Sequence, residues 1–339
     1  VAASGGAVTL SPEDVDALVS RLDLAPGAIV SALRAAVAAD SGRSRRATAA
    51  GKGAALGLDA VLRAAHGRIE HALGELAERL TTTLDWSDAV LPKEVSDSLA
   101  EVIAAAKHRT TVYDRWGFRR KLSYGRGLSC LFSGPPGTGK TMMAGIIGRS
   151  VGADVYRIDL SRIASKWVGE TEKNLARLFD EAEKAQVILL FDEADSLFSR
   201  RTSVQSANDR FANMEINFLL QRMEAYDGMT ILTTNFEESI DVAFKRRIRY
   251  VVSFPMPNAD ERAALWRSMI PAGAPVAPDI DFQWLGERFT LSGGNIKNAA
   301  VRAAFYAAST EGIITEAHFV KAATAEAQTI GIAVRSDPG

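Results

Sequence analysis

Short apolar runs recur through the middle of the chain, at Leu128–Ser133, Val155–Leu160, Val187–Phe191, Met229–Thr234 and Tyr250–Phe254, with helical periodicity between them. The clearest helical stretch is Glu172–Ala185, which puts Leu175, Leu178, Phe179 and Ala182 on one face. Strand and helix alternating at this spacing predict a mostly parallel sheet covered by helices on both sides. Pro255 and Pro257 end the last strand, and Asn258 with Glu261 three residues later gives a capping signal. Beyond it, Ala263–Ile270, Phe282–Phe289, Asn295–Ala308 and Thr315–Gln328 all carry helical periodicity. The expected fold class is α/β followed by a small all-helical domain, with boundaries at 85–257 and 258–339.

Residues 1–84 are Ala-rich with a helical pattern, interrupted by a Gly/Ser/Arg-rich linker at Ser41–Gly53. They also hold a repeat. Without gaps, Asp14–Ala36 overlays Asp281–Ala303, matching Asp14/Asp281, Leu18/Leu285, Arg21/Arg288, Leu24/Leu291, Gly27/Gly294, Ile29/Ile296, Ala32/Ala299 and Ala36/Ala303. Two Ala-rich amphipathic helix pairs that coincide would explain it, but Arg, Leu, Gly and Ile at equal offsets favour duplication. The N-terminal segment then reads as the helical tail of an earlier, similar module, in a chain that begins at Val1 as a piece of something longer.

Bulk properties narrow the classes. A chain of 339 residues exceeds the usual single domain, and a net charge of −1 gives no general attraction to nucleic acid or anionic membrane. No apolar run approaches the ~20 residues of a membrane span. Cys130 is the only cysteine, so no intrachain disulfide forms, and a buried structural thiol is expected of it. His66, His71, His108 and His318 are scattered without metal-ligand spacing. A cytoplasmic protein with neither a nucleic-acid nor a membrane partner is the expectation.

One segment carries specific chemistry. Gly134-Pro135-Pro136-Gly137-Thr138-Gly139-Lys140-Thr141 fits the phosphate-loop pattern G-x-x-x-x-G-K-[ST]. Its glycines let backbone N–H groups face phosphate oxygens, Lys140 brings charge to the β- and γ-phosphates, and the Thr141 hydroxyl suits Mg²⁺. Met142 follows on the helix that the loop opens, whose N-terminus favours a bound anion. The run Val187–Asp195 ends a buried strand in carboxylates: Asp192 suits a hold on Mg²⁺, and Glu193 suits polarising a water. Asn235, at the tip of the next strand, can hydrogen-bond a γ-phosphate and an attacking water, or simply form a turn.

GPPGTGKT, LLFDEADSLF and TILTTN, in this order and at these intervals, resemble the AAA branch of the AAA+ ATPases over about Trp86 to Gln328. The resemblance implies a P-loop αβα sandwich on a five-stranded parallel sheet, a helical lid, ATP and Mg²⁺ as ligands, and homo-oligomeric rings that are usually hexameric. It makes Asn235 the sensor-1 residue. Ile240–Phe254 is similar to the arginine-finger region of katanin- and spastin-like members, which implies that Arg246 and Arg247 reach a neighbouring protomer's γ-phosphate, with Arg249 a third candidate. Ser165–Glu170 resembles the first pore loop of katanin-like proteins, so Lys166, Trp167 and Val168 would grip polypeptide; a Trp folded back onto the sheet is the competing reading. Arg200–Phe211 falls where a mobile second pore loop would lie.

In the expected lid, Ser292-Gly293-Gly294-Asn295 resembles the turn that packs against adenine, with Gly294 where Ala is usual. No lid arginine stands at the position of a second sensor. Trp86–Pro92 keeps Asp88 of the entry turn but not its glycines, which leaves the base contacts open. The broader match is to the C-terminal module of bacterial tandem AAA ATPases. A ring ATPase that remodels proteins is the leading expectation. A slowly hydrolysing, nucleotide-switched scaffold and a nucleic-acid motor are the rivals.

Overall fold

A computed structural model describes residues 73, 76–121, 127–159, 170–195, 207–236, 240, 242–310 and 312–332. The N-terminal copy of the repeat, its linker and the segment with Lys166, Trp167 and Val168 lie outside the described residues. The strands are β1 (Ala77–Leu80), β2 (Leu128–Ser133), β3 (Val155–Ile158), β4 (Ile188–Phe191), β5 (Met229–Thr234) and β6 (Tyr250–Ser253). The helices are α1 (Lys93–Thr110), α2 (Lys140–Val151), α3 (Glu170–Ala185), α4 (Ala207–Ala225), the single turn α5 (Val242–Lys245), α6 (Ala259–Ser268), α7 (Phe282–Arg288), α8 (Gly293–Ala308) and α9 (Glu316–Thr329).

The strands form one sheet in the order β1-β3-β4-β5-β2-β6. The five expected strands are mutually parallel, and β1 adds an antiparallel edge on β3. That strand corrects the helical reading of residues 1–84: Ala77–Leu80 belongs to the sheet. Its charged residues bind it there, with Arg79 to Asp154 and Glu78 to Arg157 each at 2.8 Å. Helix α1 was not anticipated either, although Val95, Leu99 and Val102 are its buried stripe at helical spacing. Helix α4 begins at Ala207, so the end of the stretch expected as a mobile pore loop is helical.

Every residue of β2, β4 and β5 is buried, as strands covered on both faces require. Their side chains alternate between two cores. Leu131, Leu189, Phe191 and Leu232 meet Leu178 and Phe179 of α3 and Leu219 and Met223 of α4. Cys130, Phe132, Leu190 and Ile231 meet Leu99 of α1 and Met143 and Ile147 of α2 on the other face. Burial pushes the Cys130 thiol well above its ordinary pKa, consistent with an inert structural cysteine.

Helices α6–α9 enclose a third core around Trp266, Leu285, Phe289, Ile296 and Phe319. The expected capping box is present at its start: Asn258 accepts from the Glu261 N–H at 2.9 Å, and the Asn258 N–H donates to Glu261 Oε2 at 2.8 Å. The repeat positions Leu285, Leu291, Ile296, Ala299 and Ala303 are all fully buried here, and Asp281 caps α7. Five of the eight matched positions therefore lie in this core in the C-terminal copy. Among the described residues, no helix is long and apolar enough to cross a membrane.

Candidate active site

The site assembles at the carboxyl ends of β2, β4 and β5, and strand register decides which side chains meet. Gly134 leaves β2 at φ 142°, and a Cβ there would lie 2.0 Å from the Phe254 carbonyl oxygen, so only glycine lets the loop start against β6. Thr138 Oγ1 donates to the Pro135 carbonyl at 2.8 Å, closing the loop on itself. Gly139, at φ 98°, opens α2, and Lys140 and Thr141 are its first residues.

Lys140 is buried, and Nζ spends all three protons inside the chain. It donates to the carbonyls of Gly134 at 2.6 Å and Pro135 at 2.8 Å, and to Asn235 Oδ1 at 2.9 Å. Burial lowers its pKa, opposed by Asp195, Asp192 and Glu193. Phe191 pairs with Leu232, so the next rung sets Asp192 beside Thr233, whose hydroxyl donates to Asp192 Oδ1 at 2.7 Å. The Thr141 hydroxyl donates to the same oxygen at 2.8 Å. Glu193 follows with φ 52°, a left-handed conformation costly for a residue with a Cβ. Thr233 holds that turn: its Oγ1 accepts from the Glu193 N–H at 2.9 Å and its carbonyl from the Ala194 N–H at 2.9 Å. The Glu193 side chain is exposed.

Two residues here have contacts that the sequence motifs give no role for. Thr233 links Asp192 to the Glu193 turn. Asp195 accepts from the Thr234 hydroxyl, from the Asn235 N–H at 3.0 Å and from Asn235 Nδ2 at 3.2 Å. The available signal was polar side chains at the tip of an otherwise apolar buried strand, opposite carboxylates spaced i, i+3.

The α8 turn also reaches the loop. The Gly294 N–H donates to the Gly137 carbonyl at 2.9 Å, and a Cβ on Gly294 would lie 3.1 Å from Gly137 Cα. Glycine in place of the usual Ala thus permits a backbone approach. Gly293 lies beside it, with its Cβ position 3.3 Å from the Gly137 oxygen. Ser292 caps α8 and donates to Asn295 Oδ1 at 2.6 Å. Asp88 serves its own turn, accepting from the Asp85 N–H at 2.8 Å.

Arg246 and Arg247 are not brought to this site. Both are exposed and precede β6, whose first residue pairs with Cys130 while Ser253 pairs with Ser133 next to the loop. They therefore lie at the amino ends of the strands. Arg247 faces Glu224 at 3.6 Å. Arg249 is engaged within its own chain: its guanidinium bonds the Tyr113 hydroxyl, and its N–H donates to Ser129 O at 3.1 Å.

A nucleoside triphosphate with Mg²⁺ fits what is present. The loop has its glycines where a Cβ would meet Phe254 (at Gly134) and Ser292 (at Gly137), Lys140 is held there on neutral oxygens, and Thr141 and Asp192 place a hydroxyl beside a carboxylate. Among the described residues no group of three or more His, Cys, Asp or Glu forms a metal cage, so phosphate and water would supply most ligands of a bound Mg²⁺.

Fold and site together define a P-loop nucleotide-binding domain. Residues 130–256 match the model of the ATPase family associated with various cellular activities (AAA). The Arabidopsis thaliana "ATPase family AAA domain-containing protein FIGL1" is 31% identical over 208 residues, 60% of this chain and 29% of that protein. The katanin p60 A-like 1 ATPase of Papio anubis is 30% identical over 230 residues, 64% of this chain and 45% of that protein. A crystal structure of the FIGL-1 AAA domain superposes with a TM-score of 0.59 at 22% identity, covering 80% of this chain and 90% of that one, a likeness of fold. The chain carries an AAA ATPase domain, and it spans less than half the length of these two curated relatives.

Proposed function

We propose that the chain hydrolyses ATP to ADP and phosphate in a homo-oligomeric ring, and that the ring remodels protein substrates. The observation that carries the hydrolytic reading is the convergence of Lys140, Thr141, Asp192, Glu193 and Asn235 from three strand ends. In the proposed roles the N–H groups of residues 137–141 and the Lys140 ammonium bind phosphate oxygens. Mg²⁺, held through Thr141 and Asp192, would neutralise phosphate charge. Glu193 takes a proton from the attacking water as the new O–P bond forms and the bond to the bridging oxygen breaks, leaving its electron pair on ADP. Asn235 orients that water. Residues 85–257 are the ATPase domain and 258–339 its lid, with Gly293 and Gly294 closing over the nucleotide.

The ring rests on Arg246 and Arg247. They are exposed at the strand edge opposite their own phosphate loop, where they can serve another copy's γ-phosphate. Polypeptide as substrate rests on the katanin-like match of Lys166, Trp167 and Val168, hexamers and independence from nucleic acid on the same kinship, and a cytoplasmic location on the single buried Cys130. The residues common to Asp14–Ala36 and Asp281–Ala303 support a tandem origin.

Glu193→Gln tests the reading. It should retain ATP binding, lower turnover by about 10²-fold or more and stabilise the oligomer with ATP. Wild-type turnover in that variant would remove Glu193 from the chemistry.

A further inference from the structure

The amide of Asn235 has two faces, and the structure gives each a charged neighbour. Oδ1 accepts from the Lys140 ammonium at 2.9 Å, and Nδ2 donates to Asp195 Oδ2 at 3.2 Å. The two orientations of the amide are therefore unequal. A half-turn about its last torsion would set N–H against ammonium and oxygen against carboxylate, exchanging two charge-assisted hydrogen bonds for two repulsions. Asp195 does not act on the side chain alone. Its other oxygen accepts from the Asn235 N–H at 3.0 Å and from the Thr234 hydroxyl, which in turn accepts from the Phe236 N–H at 3.1 Å. Backbone and side chain at the β5 tip are thus fixed by one carboxylate on the turn that also carries Asp192 and Glu193.

We propose that Asp195 is the positioning residue for Asn235, locking its amide with the carbonyl oxygen toward the phosphate loop. Asn235 then presents an acceptor there, for the Lys140 ammonium or the proton of an attacking water, while one Nδ2 proton stays committed to Asp195. Asp195 touches no reacting atom in this scheme. It transmits the geometry of the β4 exit turn to the β5 tip, so the water-activating carboxylate and the water-orienting amide move as one unit. The inference rests on the ATPase reading above and deepens it.

A double-mutant cycle with Asp195→Asn and Asn235→Ala in the 339-residue chain tests the proposal. Replacing the carboxylate by an amide of equal size should lower kcat by about 10–100-fold, the usual loss for an orienting partner. The Kd of a fluorescent ATP analogue should stay within about threefold. In the Asn235→Ala background the same substitution should change kcat by less than about threefold. Losses that multiply, or a fall in affinity proportional to the fall in kcat, would overturn the assignment. Should Asp195→Asn fail to fold, Asp195→Glu keeps the charge, displaces it by one methylene and enters the same cycle. The side-chain amide resonances of Asn235 give a readout independent of turnover. They should shift in either Asp195 variant, and unmoved resonances would overturn the proposal. A wild-type chain without turnover whose amide shifts as expected would count against the ATPase reading alone.

Discussion

Gly137→Ala probes the contact between the phosphate loop and α8. Two costs are separable. The residue sits at φ 77°, where a Cβ costs about 1–2 kcal/mol. That Cβ would also lie 2.4 Å from Ser292 Oγ and 3.2 Å from Ser292 Cβ, an overlap worth about 1–3 kcal/mol if the neighbours yield only in part. The sum is about 2–5 kcal/mol, set against the stability of the docked state. Ser292→Gly removes both clashing atoms and, at a helix N-cap, costs only a few tenths of a kcal/mol. The double variant should then recover the overlap and retain the backbone strain, a coupling of at least about 1 kcal/mol. Urea unfolding, read separately for the sheet and helical parts, measures the stability term. Titration with a fluorescent ATP analogue measures how far the loop has shifted. Equal costs for Gly137→Ala in both backgrounds would refute the contact.

Three further outcomes follow from the same geometry. Because burial lowers the Lys140 pKa, the folded chain gives up this proton below the unfolded value of about 10.4, so between the two values the unfolded state binds more protons and stability rises with pH. Wild-type stability should therefore climb relative to Lys140→Met across that window, and a flat difference would refute the burial penalty. Alanine at both Arg246 and Arg247 should leave ATP affinity intact and abolish most turnover; mixing that variant with Glu193→Gln should restore activity, which action within one chain would not allow. Trp167→Ala should keep the basal rate and lose stimulation by an unfolded polypeptide, whereas equal loss of both would assign the ring to packing.

What was legible in the sequence is what repeats or what chemistry restricts. The runs at Leu128–Ser133 and Met229–Thr234 are strands over the full stretch read for them, since strands covered on both faces read as short, mostly apolar runs without charged residues. The cap at Asn258 was readable because its partner lies three residues away. Strand β1 was not: Ala77–Leu80 is too short and too charged for a periodic signal, and its place is set by pairing with β3 and by ion pairs to Asp154 and Arg157, far along the chain. Asp195 was hidden for a similar reason. Its spacing from Asp192 is visible, but its function depends on the β4–β5 register, which places Thr234 and Asn235 within its reach. Sequence reports the donor and acceptor types; register decides the pairs.

The sheet geometry also bears on the proposed ring. Parallel strands gather the loop after β2, the carboxylates after β4 and the amide after β5 at one edge. The exposed arginines enter β6 from the other edge, and Cys130 to Ser133 alone accounts for about 10 Å of strand between them and the loop. Closing that gap within one chain would require unpairing β6, just beyond which the Phe254 N–H donates to the Ser133 carbonyl at 2.7 Å and the Phe254 carbonyl lies against Gly134. The backbone that shapes the phosphate loop is thus the backbone that keeps Arg246 and Arg247 away from it. In the proposed ring, Arg246 and Arg247 would therefore serve the phosphate site of another copy.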